Sequence, residues 1–189
     1  MSSGDEIDDA NYYVKSRNTV RLFKEKLRQM GWTPLNSGAY SDVYKNPRKN
    51  YVMKVTTEPD YGYAKYVDLI KRSRNPHFPK ISDRKTFTVR GDDYDIYLIE
   101  KLRHLEWDIA TQYVNIFRNI IWTRVANLRV DLNDLYNNNI PKILSQNPKL
   151  VSALEIIGEN SSDQELDIKN DNIMERDDGT IVITDPYAS

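Results

Sequence analysis

The sequence of 189 residues contains no cysteine, only two histidines and no long apolar run. The lack of cysteine excludes disulfide bonds, and two histidines alone do not make a usual zinc site. We therefore expect His77 and His104 to be structural or surface residues. No stretch approaches the roughly 20 apolar residues of a membrane span, and the acidic N-terminus does not resemble a signal sequence. These absences predict a cytoplasmic protein without a membrane partner.

The charge balance argues against nucleic acid as a partner. Lysine and arginine together number 27, aspartate and glutamate number 28, and the net charge is −1. Because no excess of positive charge attracts phosphate backbones, we expect no direct binding of nucleic acid. The chain is long enough to bury a substantial core.

The most specific pattern lies between residues 167 and 185. Asp167 and Asn172 are five residues apart, with Lys169 between them. An apolar pair, an Asp-Asp-Gly turn and an alternating apolar run follow, and these predict a two-stranded hairpin that brings Asp185 back beside Asn172. A carboxylate and an amide oxygen at one point suit Mg²⁺. The alternative is an ordinary hairpin with surface acids.

Two upstream segments add candidate residues. Small residues surround Gly38 at a turn between two strand-like runs, where backbone amides can approach a phosphate or simply form a turn. Lys54 lies inside an apolar, β-branched run. Burying an unpaired ammonium there would cost several kcal/mol, so Lys54 needs an anionic partner unless the strand is an edge strand with an outward lysine.

Helical periodicity marks the rest of the chain. Residues 18–30 predict a helix that Gly31 ends, and the region 104–160 predicts further helices, including 133–146 and 149–157. Near the start of the region 104–160, a broad apolar helix face is expected to pack into the core. Its residues are Ile109, Tyr113, Ile116, Phe117, Ile120 and Ile121.

These segments together resemble protein kinases. Residues 167–172 resemble the catalytic-loop pattern Asp-Leu-Lys-x-x-Asn, residues 35–44 the glycine-rich loop, and residues 50–55 the lysine-bearing third strand. The resemblance implies an α+β, minimal bilobal kinase-like fold. An acidic flexible tail over 1–17 would precede an antiparallel-sheet N-lobe over 18–102 and a truncated helical C-lobe over 103–189.

The resemblance also implies the cofactors ATP and Mg²⁺ and a role for each site residue. Asp167 and Lys169 would be catalytic, with Asp167 accepting the proton of the attacking hydroxyl, and Asn172 and Asp185 would hold the metal. The residues that would bind the nucleotide are Gly38, Val43, Lys54, Ile99, Glu100 and Leu102. Glu100 and Leu102 would act through their backbone.

The chain departs from the kinase pattern at three places. The helix after Lys54 has no glutamate, so Asp68 is the predicted partner of this lysine, with Glu58 and Asp60 as alternatives. Leu166 stands where kinases have an arginine before the catalytic aspartate. Pro186 follows Asp185 where kinases have Asp-Phe-Gly, and a proline there argues against an activation-loop switch.

The pattern from Gly31 onwards is similar to the early-expressed serine/threonine kinases of short-tailed bacteriophages. That similarity implies host proteins as substrates. Two alternatives stay open. One is a small-molecule phosphotransferase of the aminoglycoside-kinase type, although Glu165-Leu166-Asp167 replaces the usual His-Gly-Asp. The other is a catalytically inactive kinase-like protein that inhibits a host protein by contact.

Overall fold

A computed structural model describes residues 20–89, 92–125, 146–161 and 165–188. The chain divides into two compact units, one formed by residues 1–64 and 80–101 and the other by residues 65–79 and 102–189. The predicted tail over 1–17 and almost all of the predicted helix over 133–146 lie outside the described residues. The lobe boundaries predicted from the sequence stay a prediction.

The first unit is built on a sheet of five strands. Its elements are α1 (Val20–Gln29), β1 (Thr33–Ser37), β2 (Ser41–Lys45), β3 (Tyr51–Thr56), the start of α2 (Tyr61–Lys71), β4 (Ile81–Val89) and β5 (Asp92–Glu100). All paired strands are antiparallel, in the order β1-β2-β3-β5-β4. The predicted α+β class and antiparallel sheet, with a helix between the third and fourth strands, are confirmed.

One face of this sheet forms the core of the first unit. Residues at alternate positions of three strands pack with Leu27 and Trp32, and they are Tyr44, Met53, Val55, Ile96 and Leu98. Helix α1 is followed by Gly31 at φ 85°, in the left-handed region that favours glycine. A Cβ there would lie 3.3 Å from Asn46 Nδ2. The predicted stop at Gly31 is therefore confirmed.

The opposite face contains a buried ionic group around Asp95. Arg84 donates two hydrogen bonds to its carboxylate, at 3.1 and 3.0 Å, and Thr86 and Tyr97 donate through their hydroxyls. Burial alone would raise the pKa of Asp95, but the hydrogen bonds from Arg84, Thr86 and Tyr97 lower it below its ordinary value. The carboxylate is thus held in its charged form.

Replacing Asp95 by asparagine is expected to lower the free energy of unfolding at neutral pH by about 3 kcal/mol, because Arg84 loses its buried partner. The folded-state pKa of Asp95 is depressed, so this stabilisation exists above the unfolded pKa and fades as the pH falls through the folded value. Urea unfolding from pH 7 downwards checks this. The difference in the free energy of unfolding between wild type and variant should narrow below about pH 4. A difference that does not change with pH, or an equal loss of stability in the exposed-site control Asp93→Asn, would contradict this expectation.

Among the described residues, the second unit combines helices with a small sheet of three strands. Besides the rest of α2, its elements are β6 (Arg103–His104), α3 (Trp107–Val125), α4 (Pro148–Glu159), a 3₁₀ turn (Asn170–Asn172), β7 (Ile173–Glu175) and β8 (Ile181–Ile183). Strands β6, β7 and β8 pair antiparallel in that order. Gly179, at φ 81°, lies in the turn between β7 and β8. The predicted hairpin is confirmed.

Helices α3 and α4 supply half of the buried apolar residues that the structure describes in the second unit. Their buried residues include Val114, Ile116, Phe117, Ile120, Ile121, Leu150, Ala153, Leu154 and Ile157. The prediction that Ile109 belongs to this core is wrong, since its side chain is 45% exposed in the first turn of α3. No helix among the described residues combines the length and apolar character needed to cross a membrane.

The two histidines have the structural and surface positions expected. His77 is buried, and its ring nitrogens lie 2.7 Å from the Ile181 carbonyl and 3.1 Å from Asn147 Oδ1. Its backbone carbonyl accepts a hydrogen bond from Ile183 N. His104 is exposed on β6. His77 therefore holds strand β8, which leads into Asp185, in place.

Candidate active site

The segment that contains Asp167 is fixed by a short antiparallel ladder. Leu166 pairs with Tyr187 in a β-bridge, and Asp167 N donates to the Pro186 carbonyl at 2.8 Å. Ala188 N donates to the Glu165 carbonyl at 2.7 Å. Leu166 thus occupies a backbone pairing position. This ladder joins the predicted catalytic segment to the residues just after Asp185.

Helix α3 supports the same segment from its side. Arg118 Nε donates to the Ile168 carbonyl at 3.0 Å, and Ile168 is buried. Asn170 Nδ2 donates to Thr111 Oγ1 at 2.8 Å and lies 3.4 Å from the Trp107 carbonyl. Each of these contacts fixes backbone next to Asp167 or Asn172. Arg118 and Asn170 are positioning residues that the sequence pattern did not identify.

Asn172 joins the three predicted residues of the site. Its Nδ2 donates to the Asp167 carbonyl at 2.8 Å and to the Asp185 carbonyl at 2.6 Å, and it lies 3.5 Å from Asp167 Oδ2. Asn172 is buried, and its own carbonyl accepts from Thr184 N at 2.9 Å. The structure therefore brings Asp167, Asn172 and Asp185 together, as the hairpin predicted from the sequence requires.

Asp167 and Lys169 form an ion pair at this point. Lys169 Nζ donates to Asp167 Oδ2, and the two side chains are 52% and 38% exposed. The exposure means that both groups are open to a ligand from solvent. The amide nitrogen of Asn172 also approaches Oδ2, so this carboxylate oxygen lies among hydrogen-bond donors.

The oxygen donors of this group fit a hard divalent cation. Because Asn172 Nδ2 is engaged by two carbonyls, Oδ1 is the amide atom that remains for a metal, and the half-buried Asp185 adds a carboxylate. Within the described ranges, no three His, Cys, Asp or Glu side chains cluster as a metal site. Mg²⁺ commonly uses one or two protein ligands and takes the others from phosphate and water. The donor set therefore fits Mg²⁺ better than it fits zinc.

The residues after Asp185 are packed into the second unit. Tyr187 is 2% exposed, its hydroxyl donates to the Ile157 carbonyl at 2.9 Å, and its ring meets Tyr66 edge to face. Burial raises the pKa of Tyr187, so the hydroxyl stays a donor. Pro186 is buried beside it. These contacts anchor the segment that carries Asp185.

In the first unit, the register of the strands gathers three predicted nucleotide residues on one face. Val43 is opposite Lys54 on β2 and β3, and Val52 of β3 is opposite Ile99 of β5. Directly paired residues of antiparallel strands share a face, and so do residues two apart on one strand. Val43, Lys54 and Ile99 therefore lie on the face opposite the apolar core.

Lys54 is buried on that face with an acidic and an aromatic neighbour. Its Nζ lies 3.5 Å from Asp60 Oδ2 and 3.3 Å from the centroid of the Tyr63 ring. Asp60 also caps α2, because its Oδ1 accepts from Tyr63 N at 2.9 Å. The choice of Asp68 as partner is therefore corrected to Asp60. Asp68 instead pairs with Lys71 at 3.9 Å on an exposed helix face.

The other predicted nucleotide residues are less distinctive. Glu100 Oε1 accepts a hydrogen bond at 2.8 Å from Lys80 N, in the residue that precedes β4. Leu102 is half-buried. Both were predicted to act through backbone groups, and their binding role stays a prediction.

Gly38 lies in the hairpin between β1 and β2, where its N–H donates to the Ser41 carbonyl at 2.8 Å. An added Cβ would meet only that carbonyl, at 3.6 Å, and the φ of Gly38 is not positive. The fold itself therefore does not require glycine. A requirement for glycine would have to come from a bound ligand.

The variant Gly38→Ala is expected to unfold within about 0.5 kcal/mol of wild type, since the added methyl group meets no obstacle. If phosphate approaches the backbone at this turn, the same methyl group should weaken nucleotide binding about tenfold, which corresponds to about 1.4 kcal/mol. Calorimetric titration with a non-hydrolysable ATP analogue measures this. Unchanged affinity would remove Gly38 from the site, and Ser82→Ala, on β4, serves as the control.

No protein-family model and no curated protein sequence matches the chain. Similar solved structures include MAP kinase LmaMPK10 from Leishmania major, at 13% identity and a TM-score of 0.39, over 87% of this chain and 49% of that one. Another is the streptomycin–ATP–APH(2")-IIa ternary complex, also at 13% identity and a TM-score of 0.39, over 90% of this chain and 72% of that one. The chain spans about half the length of the Leishmania kinase. Its function is therefore inferred from its own side chains.

Proposed function

We propose that this protein transfers the γ-phosphoryl group of ATP to serine or threonine hydroxyls of other proteins, with Mg²⁺ as cofactor. The observation that carries the proposal is the double hydrogen bond of Asn172. One buried amide joins the backbone of Asp167, the proposed base, to that of Asp185, the proposed metal ligand. This contact fixes the backbones of the proposed base and the proposed metal ligand on one side chain.

The reaction that fits these groups is an in-line displacement. The acceptor hydroxyl oxygen forms a bond to the γ-phosphorus, and the bond from that phosphorus to the bridging oxygen breaks, so that ADP leaves with the electron pair. Asp167 takes the proton of the hydroxyl, because its side chain is 38% exposed and can reach a solvent-borne substrate. Lys169, paired with Asp167, offsets negative charge beside it.

Lys54 is the residue that we assign to the nucleotide phosphates. A buried ammonium is a strong ligand for phosphate when a fixed neighbour orients it. Asp60 and the ring of Tyr63 supply that orientation. Val43 and Ile99, on the same face, offer apolar surface for a base.

Asn172 and Asp185 would hold Mg²⁺, which when bound neutralises charge on the phosphate oxygens. The hydrogen bonds of Asn172 keep its amide oriented, and the ladder to Pro186 fixes the backbone beside Asp185. The similarity of the sequence to early bacteriophage kinases supports host proteins as the substrates.

The experiment that tests the metal assignment is a nucleotide titration at increasing Mg²⁺. We expect wild type to bind an ATP analogue at least tenfold more tightly with saturating Mg²⁺, and we expect Asp185→Asn to lose most of that gain. Asp177→Asn is the matched control, because Asp177 lies 97% exposed on the same hairpin. Equal Mg²⁺ dependence in wild type and Asp185→Asn would exclude Asp185 as a metal ligand.

A further inference from the structure

Asp42 is a buried carboxylate on the apolar face of the five-stranded sheet. It lies two residues before Tyr44 on β2, so both side chains are on the face that forms the core of the first unit. The side chain of Asp42 belongs to a residue that is only 6% exposed. A buried carboxylate must be paired, and a buried ion pair is often no more stabilising than apolar residues in its place. The position of Asp42 therefore calls for an explanation beyond the stability of the core.

Three side chains hold this carboxylate. Lys24 Nζ, from α1, lies 2.7 Å from Asp42 Oδ2, and the Ser37 hydroxyl, from β1, donates to Oδ1 at 2.5 Å. The Tyr44 hydroxyl donates to Oδ2 at 3.3 Å. Burial alone would raise the pKa of Asp42, but the hydrogen bonds from Lys24 and Ser37 lower it below its ordinary value. Asp42 thus links helix α1 to strand β1 as a charged group.

A shift in strand pairing brings Ser37 to this carboxylate. Between Pro34 and Asn36 the register of β1 against β2 shifts by one residue, and Ser37 becomes the direct partner of Asp42. In the unshifted register Ser37 would pair with Ser41 and lie on the opposite face of the sheet. Such shifts re-aim single side chains and are frequent beside functional sites. The irregularity in β1 is therefore what makes the contact between Ser37 and Asp42 possible.

The contact between Ser37 and Asp42 closes the turn that joins β1 and β2. Within this turn, Gly38 N donates to the Ser41 carbonyl at 2.8 Å. Ser37 directly precedes Gly38, the residue at which we expect the backbone to approach phosphate. A side-chain contact at Ser37 therefore acts on the backbone N–H groups of the turn.

We propose that Asp42 is a positioning residue for nucleotide binding, which holds the turn over residues 37–41 through the Ser37 hydroxyl and is itself held by Lys24 of α1. The turn then presents its N–H groups to the phosphates in a fixed arrangement, so less conformational freedom is lost on binding. This inference rests on the proposed function. It adds helix α1 to the parts of the protein that set the affinity for the nucleotide.

The test is calorimetric titration of each variant with a non-hydrolysable ATP analogue and Mg²⁺. Asp42→Val is expected to bind the analogue about tenfold more weakly than wild type, and Ser37→Ala about fivefold more weakly. Adding Ser37→Ala to Asp42→Val should cause no further loss, because both changes break the same contact. Ser37→Thr, which keeps the hydroxyl, should recover most of the affinity. Tyr44→Phe is the matched control, since it removes a contact to Asp42 that does not involve the turn.

A purely structural role is separated by urea unfolding and by steady-state transfer with the same variants. Ser37→Ala changes an exposed side chain, so it should unfold as wild type does even if Asp42→Val does not. Its KM for ATP should rise about fivefold with kcat within about twofold of wild type, as expected when only binding is weakened.

The outcomes distinguish this inference from the kinase proposal. Equal affinity for the analogue in wild type, Ser37→Ala and Asp42→Val would overturn the positioning role and leave the kinase function standing. Ser37→Thr that binds as weakly as Ser37→Ala would overturn it too. Affinity that depends on Ser37 and Asp42, in a protein whose wild type transfers no phosphate, would support the positioning role and overturn the kinase function. A wild type that binds no analogue would overturn both.

Discussion

Replacing Asp167 by alanine is expected to slow phosphoryl transfer by about a thousandfold while leaving the melting temperature within a few degrees of wild type. The loss follows from removing the proton acceptor, since general-base catalysis commonly contributes between about 10² and 10⁴ in rate. The fold should tolerate the change, because the contacts of residue 167 that fix the loop are made by its backbone N–H and carbonyl.

Single-turnover transfer from labelled ATP, with a calorimetric melt of each variant, measures both parts of this expectation. Asp171→Ala is the matched control, since Asp171 is an exposed acid in the same loop. If Asp171→Ala were as slow as Asp167→Ala, the role of the base would have to be reassigned. A large fall in melting temperature in Asp167→Ala would indicate a structural role instead.

Replacing Asp60 by asparagine is expected to lower the free energy of unfolding by about 3 kcal/mol, because a carboxylate is removed from a buried ammonium. Asparagine keeps the helix cap to Tyr63 N, so the loss isolates the charge. Asp68→Asn, which changes an exposed pair on the same helix, should shift stability by no more than about 0.5 kcal/mol.

A double-mutant cycle makes the same point quantitative. Lys54→Met removes the ammonium, and the double variant Lys54→Met with Asp60→Asn should be at least about 1 kcal/mol more stable than the sum of the single losses predicts. Urea unfolding of the four proteins measures the coupling. Additive losses would mean that the 3.5 Å approach of these residues has no energetic consequence.

Local patterns were sufficient to predict the elements that carry the candidate site. Alternating apolar residues around an Asp-Gly turn predicted the β7–β8 hairpin, and Gly31 predicted the end of α1. Such features depend on a few neighbouring residues, and the backbone constraints are the same wherever they occur. The proximity of Asn172 to Asp185 was predictable because the hairpin returns the chain to its start.

The acidic partner of Lys54 was not predictable by the same reasoning. The expected residue was Asp68, inside the helical pattern, whereas the structure uses Asp60, which precedes the helix as its cap. The turn between β3 and α2 decides where that carboxylate points, and periodicity does not describe turns. The prediction that Ile109 is a core residue was wrong for a related reason. The first turn of α3 extends beyond the core, although the apolar periodicity of the helix continues into it.

Contacts that support the candidate site from distant parts of the chain were also not predictable from the sequence. Arg118 and Ile168 are 50 residues apart, and their contact depends on where α3 packs. Trp107 is of a residue type expected in the core, and only the structure shows that its side chain is exposed. Tertiary packing, which a single sequence does not encode in a short window, determines both.

The most direct measurement is transfer of labelled γ-phosphate from ATP and Mg²⁺ by the purified protein, alone and in a bacterial cell lysate, beside Asp167→Ala and Asp185→Asn. We predict labelled protein bands with wild type that disappear with both variants. Folded wild-type protein that labels no band, or bands that persist at equal intensity with Asp167→Ala, would contradict a kinase built on Asp167, Asn172 and Asp185.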